Sequence, residues 1–255
     1  IGLLGGMGPL SDCDILTRIM PSIENKVDWN RFAIHLLSAP PPRVFFAVFQ
    51  GLSYFYKVID FTTQGHDRYY MLGNKAHLHL KWFERAIGCT WLRSRSLSTT
   101  SQATDLVEFV IQETFKKNAK SKVLILEALR SYRSQLYQHY LLKNGISTDD
   151  FYTQSQEEAA VIQDCISNVK AGNTDDAGKK ISDLVIGKIT QIRTSGKEVN
   201  AVLCGCTEIP LALKSKWNAE NKLLELGDES PVFIDTAELF AMKIAYDINE
   251  LCKPY

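Results

Sequence analysis

The residues best suited to chemistry stand at three places, each just beyond a short apolar run. Late in the chain, Val199-Asn200-Ala201-Val202-Leu203 leads straight into Cys204-Gly205-Cys206-Thr207-Glu208. A free thiol ionises near a pKa of about 8.5, and a helix start or a cationic neighbour lowers that value. The thiolate can then take up a proton or attack an electrophile. Cys206 is therefore a candidate acid–base or nucleophilic group, and a buried, inert cysteine is the alternative. Thr207 and Glu208 offer a hydroxyl and a charge at the same rim. Cys204 shares a face with Cys206 on a continuing strand and is expected in the core.

Earlier, Gly73-Asn74-Lys75-Ala76-His77 places an amide, a cation and an imidazole together after Tyr69-Tyr70-Met71-Leu72. Asn74 suits a hydrogen bond to a substrate carboxylate or amine, and Lys75 suits an anion. His77 fits either a ligand contact or a structural role in the following helix. At the start, Gly5-Gly6-Met7-Gly8-Pro9 lets the backbone approach a small anion such as a carboxylate, with a helix N-terminus behind it. A tight turn with no ligand is the bland reading. The turn matches neither the dinucleotide fingerprint nor the phosphate loop. Arg43 follows Pro40-Pro41-Pro42, and a rigidly presented guanidinium is suited to gripping a carboxylate in a bidentate pair. A surface ion pair is its alternative.

The elements that must position these residues alternate between strand and helix. Residues 1–4 read as a strand, followed by a helix that carries Ile15, Leu16 and Ile19 and is capped by Ser11 or Asp12. Strands are expected within 32–38 and 69–72, and helices over 52–64 and 77–87. Residues 44–49 fit a strand or a short helix. The rhythm then repeats: helix over 106–115, strand over 123–126, and helices over 132–144, 157–169 and 181–194. A strand over 199–203, a short strand over 233–235 and a closing helix over 236–249 complete it. Such alternation predicts an α/β protein with parallel sheets, and parallel sheets place ligands beyond the carboxyl ends of their strands.

Lys plus Arg equals Asp plus Glu, 29 of each, which removes any long-range pull toward nucleic acid or an anionic membrane. The six cysteines are scattered through 255 residues and suggest neither a disulfide framework nor a metal cluster. No apolar run approaches the roughly 20 residues of a membrane span, and a cytoplasmic setting is the expectation.

Taken together, Gly5-Gly6-Met7-Gly8-Pro9 and Gly205-Cys206-Thr207-Glu208-Ile209-Pro210 resemble the two terminal motifs of the aspartate/glutamate racemase family. Asn74, Ala76 and His77 resemble part of its central motif. The resemblance runs weakly through Pro42-Arg43, Leu136-Tyr137, Gly145-Ile146 and Asp235-Thr236 as well. It implies two similar Rossmann-like α/β halves with parallel sheets and the active site in the cleft between them. The halves are expected at 1–100, completed by 220–255, and at 101–219. It also implies a homodimer, a small carboxylate or acidic amino acid as ligand, and no pyridoxal phosphate or metal cofactor. In that family two cysteines flank the substrate α-carbon, one removing a proton and the other returning one. Cys206 matches the second, Asn74 and Thr207 match substrate-binding positions, and Arg43 matches an arginine that holds the distal carboxylate.

Several positions depart from the pattern. Gly73 stands where the first cysteine is expected, and Lys75 replaces a threonine. Asp28-Trp29-Asn30-Arg31 replaces a polar stretch ending in histidine, Ala128 and Ser131 replace a pair of threonines, and Phe240 replaces a histidine. One thiol serves one face of an α-carbon, so racemisation would draw its second proton from Lys75 or water. The leading expectation is an amino-acid racemase-type protein acting on aspartate or glutamate, with altered activity. A one-cysteine decarboxylase or lyase and a carboxylate-binding regulatory protein are the alternatives.

Overall fold

The short apolar runs flanking the candidate residues form strands. A computed structural model of the chain describes residues 2–4, 9–23, 35–37, 68–71, 102–117, 122–218 and 221–251. The chain divides into two compact units, one of residues 1–106 and 240–255 and the other of residues 107–239.

In the first unit, strands β1 (Gly2–Leu4), β2 (His35–Leu37), β3 (Arg68–Met71) and β4 (Gln102–Thr104) form a parallel sheet in the order β2-β1-β3-β4. Helix α1 (Pro9–Ser22) follows β1 and buries Ile15 and Ile19, one helical turn apart. Ser11 and Asp12 lie inside this helix, not at its cap. Pro9 starts it instead, since its fixed φ suits the first helical position and its missing N–H is no loss there. The expected elements at 44–49, 52–64 and 77–87 lie outside the described residues.

The second unit holds β5 (Val123–Leu126), β6 (Phe151–Thr153), β7 (Ala201–Cys204) and β8 (Val232–Asp235), parallel and in the order β6-β5-β7-β8. Each unit therefore places its second strand outside its first and continues to the other side with its third. All residues of β5 and β7 are buried, as expected of parallel strands covered on both faces. Helix α2 (Leu106–Lys117) precedes β5, and α3 (Leu129–Arg133) and α4 (Leu136–Lys143) follow it. Residues 132–144 are thus two helices, not one, because Gln135 takes a left-handed conformation at φ 52° that interrupts the turn between them. Gly145, at φ +75°, ends the second.

Two longer helices, α5 (Gln156–Lys170) and α6 (Thr174–Thr194), cross from β6 to β7, and the short α7 (Glu208–Leu213) follows β7. A capping box starts α5: Ser155 accepts from the Glu158 N–H, and the Glu158 carboxylate accepts from the Ser155 N–H. Ile162, Ile166 and Val169 on α5 and Ile181, Val185 and Ile189 on α6 repeat at helical spacing. They pack with Leu124, Leu126, Val202 and Cys204 from alternate positions of the central strands. Helix α8 (Thr236–Leu251) closes the chain; Asp235 caps it, accepting from the N–H groups of Ala237 at 2.8 Å and Glu238 at 3.2 Å.

Three details were not read from the sequence. Gln102–Thr104 and Phe151–Thr153 are three-residue edge strands, too short to show a period of two. Helix α6 starts seven residues before Ile181, where Asp175 and Asp176 in its first turn complement the helix dipole. Among the described residues, no helix is long and apolar enough to cross a membrane.

Candidate active site at the end of β7

Strand order in the second unit reverses direction between β5 and β7, because the chain leaves β5 toward β6 on one side and returns to β7 on the other. The crevice outside the carboxyl ends of two such strands is where open α/β sheets bind ligands. Leu126 and Cys204 are paired at those ends, so Glu127 and Gly205 are the first residues past the sheet.

Gly205 makes the turn possible. Its N–H donates to the Leu126 carbonyl at 2.6 Å. A Cβ at this position would stand 2.7 Å from the Tyr137 ring and 2.8 Å from the Leu126 oxygen. Only glycine lets the chain pass so close. The Cys206 carbonyl then accepts from the Ile209 N–H at 3.0 Å as α7 begins, and Pro210 falls in the first turn, where proline is tolerated.

The Cys206 Sγ is 2.9 Å from Glu208 Oε2, with the thiol as donor, and the Thr207 hydroxyl lies 3.3 Å from the same oxygen. The other Glu208 oxygen is 3.3 Å from Lys170 Nζ at the end of α5. Cys206 is 7% exposed, Thr207 2% and Glu208 4%, so this is a desolvated cluster. Lys170 supplies the countercharge that a buried carboxylate needs, and it reaches solvent itself. A thiol held against a carboxylate has a resident proton acceptor, the arrangement that general acid–base chemistry at sulfur requires.

Cys204 is core, as its position predicted. It is fully buried, and its carbonyl accepts from the Thr236 hydroxyl at 2.8 Å. Burial pushes its thiol well above the usual range, and Asp235 and Cys206 add to the rise. Phe240 is fully buried on the apolar stripe of α8. Ser131 is also buried, its hydroxyl without a hydrogen-bond partner among the described residues.

The structure thus brings Cys206, Thr207 and Glu208 together. Met7, Arg43, Asn74 and Lys75 lie outside the described residues, as do Gly73, His77 and residues 28–31. Strands β1 and β3, which lead in sequence to residues 5–8 and 72–77, are neighbours at the equivalent reversal of the first sheet. Sequence reasoning missed Lys170, because a lysine in the last turn of a helix reads as a solvated complement to the dipole. It also missed Glu127, whose place directly after the apolar run Val123–Leu126 was the available signal. Among the described residues, no group of three or more His, Cys, Asp or Glu side chains could hold a metal ion.

No family model matches the chain. Solved structures do resemble it over nearly its whole length. An aspartate racemase of Picrophilus torridus is 20% identical, with 98% of each chain covered and a TM-score of 0.63. An aspartate racemase homologue from Pyrococcus horikoshii is 18% identical, with 98% of each chain covered and a TM-score of 0.62. A glutamate racemase of Bacillus anthracis is 16% identical, covering 98% of this chain and 81% of its own, at a TM-score of 0.55. The likeness is one of architecture: the chain has the parallel-stranded α/β fold found in aspartate and glutamate racemases.

Proposed function

We propose that this protein is a cofactor-independent amino-acid racemase-type enzyme in which Cys206 exchanges a proton with the α-carbon of an acidic amino acid. The observation that carries the reading is the Cys206 thiol, held 2.9 Å from Glu208 at the reversal of strand order. In the proposed step Glu208 receives the thiol proton, and the thiolate removes the α-hydrogen, leaving the pair of electrons on the substrate's α-carbon. Lys170 compensates the charge of the Glu208 carboxylate before it takes up that proton. Returning the proton from sulfur restores the starting configuration; returning one to the opposite face inverts it.

Gly73 carries no proton, so inversion draws its second proton from another donor, with Lys75 or water in that role. Asn74 and Thr207 are proposed to hold the amino acid, the backbone around Met7 its carboxylate and Arg43 its distal carboxylate. Likeness of fold to aspartate and glutamate racemases supports this substrate class.

Incubating each enantiomer of aspartate and glutamate with the protein in deuterium oxide tests the proposal. Loss of the α-hydrogen is expected, with slow inversion relative to exchange. Exchange without inversion would mean that one face alone works. An amino-acid panel showing no exchange would sink the proposal, and ligand binding without exchange would favour a carboxylate-binding protein.

A further inference from the structure

Glu127 stands beside the Cys206 turn, one residue past β5 as Gly205 is one residue past β7. It is fully buried. Gln154 pins its backbone from the end of β6, accepting the Glu127 N–H at 2.9 Å and donating to the Glu127 carbonyl. Among the described residues the side chain has one donor: Gln138 Nε2 on α4 meets Oε1 at 3.0 Å, and Oε2 is buried with no hydrogen-bond partner.

Two connections run from this carboxyl to the turn. Leu126, its chain neighbour, accepts the Gly205 N–H at 2.6 Å. Tyr137, the neighbour of Gln138, rests its ring against Gly205 so closely that a Cβ there would be 2.7 Å away. We infer that Glu127 is a proton-linked positioning residue: its neutral carboxyl, seated on Gln138, keeps Tyr137 packed on Gly205 and the Cys206 turn closed, and its ionisation loosens that turn.

The physical basis is the number of donors. A neutral carboxyl tolerates burial with a single hydrogen bond, whereas a carboxylate is held comfortably only by two or three donors or a cation. The groups that meet Glu127 are neutral amides, Gln138 from α4 and Gln154 beyond β6. Titratable groups along the two connections are Tyr137 on α4, and Cys204 and Cys206 on either side of Gly205. The charged residues of α3 and α4, namely Arg130, Arg133, His139 and Lys143, are exposed. Burial accordingly pushes the Glu127 carboxyl up to about 7, with the Gln138 bond pulling the other way. An ionised Glu127 is drawn toward water, which shifts Gln138 and Tyr137 and uncovers Cys206, now only 7% exposed.

The rate of Cys206 alkylation by iodoacetamide, read peptide by peptide by mass spectrometry across pH, tests this. It measures thiol access and succeeds or fails independently of any activity on amino acids. Wild-type protein is expected to show two steps, one near pH 7 from Glu127 and one from the thiol itself. Glu127→Gln should lose the first step and react severalfold more slowly at pH 8. Gln138→Met removes the seat itself, so it should react faster than wild type below pH 7 and lose the first step. A single thiol step in the wild type, or superimposable wild-type and Glu127→Gln profiles, overturns the inference. If Glu127→Gln does not fold, Gln138→Met decides the matter: an unmoved first step counts against it.

Discussion

Glu208 sits between a thiol and an ammonium, and each contact limits what the other can do. Lys170 compensates its charge at 3.3 Å, while Cys206 offers it a proton at 2.9 Å. Glu208→Gln keeps the shape and removes the charged acceptor, so the proposed exchange activity should fall by about 10²-fold or more, as for the loss of a positioned acid–base group. Steady-state exchange rates on folded variant protein check this. Glu127 gives a prediction in stability. Its carboxyl titrates near 7 in the folded protein against an ordinary value near 4.5, so between those values the folded state holds the extra proton. Stability is therefore full below about pH 4.5 and falls as pH rises through 7, by about 3 kcal/mol in all. Urea unfolding at pH 5 and pH 8 should show that loss in wild type and not in Glu127→Gln. Cys206, Thr207 and Glu208 were legible in the sequence because they form one contiguous run after an apolar strand. Lys170 and Glu127 were not, because their partners lie 38 and 11 residues away and only the fold brings them close.

At the scale of elements, helix α6 holds one glycine at a close crossing and another in open space. A Cβ on Gly178 in α6 would stand 2.2 Å from the Ala212 carbonyl oxygen of α7, whereas one on Gly187 in the same helix would meet nothing within 4 Å. Gly178→Ala should cost about 1–3 kcal/mol by forcing α6 from α7. Gly187→Ala should gain about 0.5–1 kcal/mol, since alanine loses less freedom on entering a helix. Urea midpoints of the two variants, measured side by side, should move in opposite directions. The long helices were readable because their apolar residues repeat at helical spacing on α5, α6 and α8. The break at Gln135 was not, since a glutamine in the left-handed region leaves no local signal of composition. The edge strand β6 escaped for a related reason: three residues cannot display a pattern.

At the scale of the whole molecule, the two units repeat one strand order. Both sheets follow one plan, with the reversal between first and third strands, and the fold likeness to aspartate and glutamate racemases spans 98% of the chain. Alternating strands and helices predicted parallel sheets, but strand order follows from which connection crosses which face, and a single sequence does not display that. The central claim is that Cys206 moves the proton at an amino-acid α-carbon. The most direct measurement is α-deuterium incorporation into aspartate and glutamate by wild-type and Cys206→Ser protein, with circular dichroism confirming that both are folded. Incorporation by the wild type that falls by on the order of 10²–10⁴-fold in Cys206→Ser is the predicted result. Equal incorporation by the two proteins would contradict it.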